Sequence, residues 1–168
     1  MKAKLAFDYS FEKSKQLVSV SDTEDVLMWI FHVDKIPPHI GISSRGLFYS
    51  LKSNGKDKVA CFNVNQIIEN KHIKCIKVKL RFKHSEVPID QVFGLFSSAT
   101  SAACSCLTPI KRALAMTANI NKLADLLEAL DAQDKIEGWY AQNLGDTEAR
   151  IRAYKISDIN KRFDKLHA

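Results

Sequence analysis

The sequence predicts an α+β fold, a small antiparallel sheet with helices around it. Three observations carry this expectation. Ile76, Val78, Leu80 and Phe82 alternate with Lys77, Lys79, Arg81 and Lys83, the period of a strand with one wet face. Ser43-Ser44-Arg45-Gly46 and Ser53-Asn54-Gly55-Lys56-Asp57 punctuate short apolar runs as hairpin turns do. The second half of the chain is helical in character and has no repeat or low-complexity segment.

In chain order, residues 22–32 mix acidic side chains with Val26, Leu27, Trp29, Ile30 and Phe31, a pattern that fits a short helix or a buried strand. From His39, Ile40 and Ile42 point one way, Arg45-Gly46 turns the chain, and Leu47-Phe48-Tyr49-Ser50-Leu51 returns as a second strand. Lys58 to Phe62 make a further short strand. Asn63-Val64-Asn65-Gln66 has the spacing of a capping box opening a helix through Glu69. Pro88 can start a helix that buries Val92, Phe93, Leu95 and Phe96. Helices are then expected over Ile110 to Thr117, Ile120 to Leu130, and from a Ser157 cap toward Leu166.

With 168 residues, 46% of them hydrophobic, the chain can build one full core, so a single domain over 1–168 is expected. The formal charge of +6, from 25 Lys and Arg against 19 Asp and Glu, favours acidic partners but is also ordinary for solubility. Nucleic acid is disfavoured because little aromatic interleaving accompanies Lys74, Lys77, Lys79, Arg81 and Lys83. The opening Met1-Lys2-Ala3-Lys4-Leu5-Ala6-Phe7-Asp8 breaks off before a signal-peptide apolar stretch, and no run reaches spanning length. A cytoplasmic protein with reduced cysteines and no transmembrane segment is the resulting expectation. The four cysteines Cys61, Cys75, Cys104 and Cys106 contain no Cys-x2-Cys pair, so neither a zinc site nor a cofactor is expected.

Two segments can supply chemistry. His39 follows Pro37-Pro38 at the start of a strand, and Cys104-Ser105-Cys106 precedes a helix opening Leu107-Thr108-Pro109-Ile110. An imidazole held on a strand can deprotonate a thiol held at a helix start. Proline is tolerated in the first helical turn, and Cys106 as N-cap places Pro109 at the third position without losing a backbone bond; this geometry favours Cys106. The plain alternatives are packing and turn roles: both cysteines lie beside the small residues of 98–103, and His39 ends a double-proline turn.

His39-Ile40-Gly41-Ile42, followed by Gly46 and Phe48-Tyr49, with Cys104-Ser105-Cys106-Leu107 later in the chain, resembles the permuted papain-like proteins related to NlpC/P60. In that family the histidine strand precedes the cysteine helix. The resemblance implies a circularly permuted papain-like core over 36–110, with 111–168 as a helical extension. It places the nucleophile at Cys104, whereas helix geometry places it at Cys106, and both stand. The family's polar residue that orients the histidine falls at Ser50.

The function these features imply is a cysteine hydrolase or acyltransferase acting on an amide, peptide or acyl bond, with catalytic candidates His39, Cys104, Cys106 and Ser50. The alternative is a noncatalytic papain-like module that binds a protein or an anionic ligand. For a protein partner, Trp139 and Tyr140 beside Gly138 are anchors or core.

Overall fold

The computed structural model describes residues 6–116, 119–145 and 149–167. The chain opening at 1–5 and Thr117, where a helix was expected to end, lie outside them. The architecture is α+β, and the main sheet is larger than expected: six antiparallel strands in the order β5-β4-β3-β2-β6-β7. These strands are β2 (Val26–Phe31), β3 (His39–Ser44), β4 (Leu47–Lys52), β5 (Gly55–Ala60), β6 (Cys75–Leu80) and β7 (Ile136–Gln142). A second, two-stranded sheet pairs β1 (Phe7–Ser10) with β8 (Arg150–Arg152). The helices are α1 (Cys61–Asn70), α2 (Ile89–Phe93), α3 (Leu107–Ala113), α4 (Leu123–Ala132) and α5 (Ile156–Leu166).

Both faces of the sheet are covered, which explains where the sequence pattern misleads. Within residues 22–32, compatible with helix or strand, Val26–Phe31 form β2, one of the two central strands and buried at every residue. Its even-numbered side chains Met28 and Ile30 join Ile40, Ile42, Ile76 and Val78 in the larger core, against α2 to α5. Its odd-numbered side chains Leu27, Trp29 and Phe31 pack with Phe48, Cys61, Val64 and Ile68 beneath α1. A strand buried on both faces loses the alternation that marks a half-wet one.

The cationic strand β6 likewise is not an outer face. It lies between β2 and β7, and Lys77 is only 3% exposed. Its ammonium sits 3.9 Å from the Trp29 ring centroid and donates to Asn65 Oδ1 at 2.7 Å and Asp22 Oδ1 at 3.2 Å. Asn65 is thus part of this buried network. The expected Asn63–Gln66 capping box is absent: α1 begins at Cys61, with Ala60 at the N-cap and no side-chain cap. Because a buried ammonium needs its counter-charge, Asp22→Ala should cost about 3 kcal/mol in urea unfolding, and the same change in a Lys77→Met background clearly less. Equal costs in both backgrounds would contradict this account.

Three smaller differences concern edges and caps. Leu95 is 65% exposed instead of buried by α2, because Gly94 ends that helix. The stretch 111–168 is not wholly helical: β7 pairs with β6 through Cys75↔Gln142 to Leu80↔Ile136, and β8 pairs with β1. Asp158 accepts from the Lys155 backbone N–H at 2.7 Å and opens α5, a role expected of Ser157.

Candidate functional site

The hairpins put the candidate residues in place. Arg45 and Gly46, both at positive φ (54° and 80°), make the two-residue turn from β3 to β4. Such a turn suits the strand twist, and glycine adopts its conformation without a Cβ penalty. Gly41, inside β3, is required for a different reason. A Cβ there would lie 2.3 Å from the Phe48 ring and 2.9 Å from the Tyr49 carbonyl oxygen. The Ser53-Asn54 turn then fixes the next register, setting Ser50 directly opposite Asp57.

His39, Ser50, Asp57, Ser105 and Cys106 all line one cavity of about 680 Å³. Its wall draws on both sides of the sheet. Phe31, Phe48, Val64 and Ile68 come from the core beneath α1, and Ile40, Leu51, Leu107 and Leu123 from the larger core. The space therefore runs around the sheet where β3 begins.

His39 pairs with Phe31 across β2 and β3, and its ring stacks on that of Phe31, with centroids 5.9 Å apart and planes 30° apart. Burial lowers the imidazole pKa to about 4; Asp57 opposes that shift, and the Lys52 and Arg162 cations add to it. Ser50, fully buried, donates to Asp57 Oδ2 at 3.1 Å, and Lys52 Nζ lies 3.2 Å from Oδ1. The negative charge acting on His39 is thus that of Asp57, held in place by Ser50.

The two cysteines differ in surroundings. Cys106 precedes Leu107 with helical φ and ψ of −59° and −22°. The side chain that caps this helix is Ser105, whose Oγ accepts from the Leu107 N–H at 3.2 Å, while the Ser105 N–H donates to Thr108 Oγ1 at 3.0 Å. Burial raises the Cys106 thiol pKa. Backbone hydrogen bonds from Ile40, Cys106 itself and Leu107, together with the Arg162 charge, pull in the other direction and favour a thiolate. Cys104 is outside the cavity wall. It closes a tight turn with Ser101, and its thiol is directed at the Ser98 carbonyl oxygen, 3.9 Å away.

Of the four sequence candidates, then, His39, Ser50 and Cys106 line one cavity, His39 and Ser50 from the sheet face beneath α1 and Cys106 from the larger core on the other face, while Cys104 lies beside it. Cys61 and Cys75 are buried, and burial lifts their pKa values to about 11 and about 12. Sequence reasoning missed Asp57 and Arg162. The first was within reach, since a turn at Ser53-Asn54 sets Ser50 opposite Asp57 by counting outward along both strands. Arg162 carried no local signal, because only the docking of α5 brings it to the cavity.

Trp139 is 7% exposed and donates to the Ser14 carbonyl oxygen, so it is core. Among the described residues, no three His, Cys, Asp or Glu side chains gather as metal ligands do, and no helix is long and apolar enough to cross a membrane. No family model, curated protein or solved structure matches the chain.

Proposed function

We propose that the protein is a thiol-dependent acyl hydrolase or acyltransferase built on a permuted papain-like core, with Cys106 as nucleophile and His39 as base. The observation that carries this reading is the single cavity shared by Cys106, His39, Ser50 and Asp57. The order of histidine strand before cysteine helix supports it as well.

At neutral pH both partners are uncharged, since burial depresses the imidazole and raises the thiol. In this reading the proton moves during attack around the start of β3, the strand His39 opens: His39 takes it from Cys106 as the sulfur–carbon bond forms, and then gives it to the departing amine or alcohol. Water or a second acceptor releases the acyl group from sulfur. The backbone N–H groups of Ile40 and Cys106, which favour charge on the sulfur, are the donors this reading assigns to the acyl oxygen. Asp57, fixed by Ser50, steadies the imidazolium that forms.

Steady-state hydrolysis of p-nitrophenyl butyrate tests the arrangement. His39→Gln should lower the rate by about 100-fold or more. Asp57→Asn should lower it by about tenfold and move the His39 titration, followed by NMR, below its wild-type position; removing the carboxylate also leaves the Lys52 cation unopposed, and both effects push the pKa down. An unchanged rate in His39→Gln would refute the reading. A second reading, a noncatalytic module that binds in the same cavity, is favoured by one fact: burial disfavours the charged form of both reacting groups.

A further inference from the structure

The cavity is apolar along most of its wall and carries cationic side chains at its edge. Three cationic side chains, Lys35, Lys52 and Arg162, line it against one carboxylate, Asp57. Asp57 is already engaged by Ser50 and Lys52. Arg162 and Lys35, both exposed at the cavity's edge, have no hydrogen-bond or ion-pair partner for their side chains among the described residues, so two positive charges are free to meet an anion there. The Arg162 charge also acts on His32, His39 and Cys106, which line the same cavity. Much of the remaining wall, with Phe48, Val64, Ile68, Leu123 and Ile159, is hydrocarbon, interrupted by neutral polar side chains such as Asn63, Asn121 and Tyr154. Val59, Ile67 and Leu166, also lining the cavity, are 37%, 49% and 50% exposed and mark an apolar lip. A volume of about 680 Å³ lies within the range of small-molecule sites.

We propose that this cavity binds an anionic amphiphile, an alkyl or acyl chain ending in a carboxylate or phosphate, whose charged group is held by Arg162 and Lys35 at the cavity's edge. The assignment rests on the proposed function for the placing of a scissile acyl bond, but not for binding itself. Unpaired guanidinium and ammonium groups recognise such anions by charge and, for arginine, by a bidentate fork. The apolar wall gains by covering the chain.

Calorimetric titration of the full chain at low salt tests it, with laurate, dodecyl phosphate, dodecanol and inorganic phosphate as separate probes below their micelle concentrations. Laurate or dodecyl phosphate should bind at least about tenfold more tightly than dodecanol. Comparison of those two identifies the head group, and inorganic phosphate alone should bind far more weakly than either. Arg162→Gln should abolish the preference for the anion, and Arg162→Lys should retain most of it. Arg162 lies on the exposed side of α5, and a thermal melt of each variant verifies that it is folded. Equal affinity for dodecanol, full retention of the preference in Arg162→Gln, or equal binding of inorganic phosphate would each overturn the proposal. The wild-type protein separates the two ideas. Laurate bound with anion preference by wild-type protein that hydrolyses no ester refutes the hydrolase alone, whereas ester turnover without anion preference refutes the amphiphile alone.

Discussion

Replacing Cys106 by alanine is expected to lower p-nitrophenyl butyrate hydrolysis by about a thousandfold or more, to the level of the uncatalysed reaction, while Cys104→Ala stays within about twofold of the wild type. The asymmetry follows from where the thiols lie. Cys106 lines the cavity together with His39, Ser50 and Asp57, and the neighbouring backbone N–H groups of Ile40 and Leu107 favour charge on its sulfur. Cys104 is tied into its own turn, with its thiol toward the Ser98 carbonyl. Both changes shorten a small side chain by one sulfur, so packing losses are similar. Loss of rate in Cys104→Ala with retention in Cys106→Ala would reverse the assignment.

The second large effect is on stability in acid. Burial holds the His39 pKa at about 4 in the folded protein, below its ordinary 6.5. Between these values the unfolded chain binds a proton that the folded one does not. Stability that is fully present above pH 6.5 is therefore lost as the pH falls through this window, by as much as about 3 kcal/mol at pH 4. His32 is shifted in the same direction and adds to the loss. Urea unfolding at pH 7 and at pH 4.5 should show a marked fall for the wild type and a smaller one for His39→Gln. A His39→Gln protein that loses as much stability as the wild type would show that His39 is not buried neutral.

The hairpins were legible in the sequence because their chemistry is local. Arg45-Gly46 and the Asn54-Gly55 region mark turns whatever surrounds them, and His39, Ile40 and Ile42 follow from strand alternation. What escaped depends on distant cover. Lys77 reads as solvated because lysine usually is, and only Asp22, Asn65 and Trp29, brought from other elements, make its burial tolerable. β7 falls in the half of the chain that reads as helical, where Trp139 and Tyr140 beside Gly138 suggest anchors or core between helices; a Cβ on Gly138 would lie 2.7 Å from the Lys15 carbonyl oxygen, so a second segment of chain pressing on the strand sets that residue. At the site, the motif residues His39 and Cys106 were visible, but choosing Cys106 over Cys104 required knowing which thiol reaches the cavity. Asp57 stood hidden in a turn, and Arg162 became part of the site only through the docking of α5.

The central claim is that Cys106 and His39 act together in one cavity, and the acyl group itself reports on it. The protein should be mixed with a slight excess of p-nitrophenyl butyrate at pH 7, quenched in acid within the first turnover, digested, and sequenced by mass spectrometry. The account predicts a butyryl group on the peptide carrying Cys106, absent from the His39→Gln protein. A butyryl group on Cys104 instead, or none on any cysteine while a small thiol reagent still modifies Cys106 in the native protein, would contradict it.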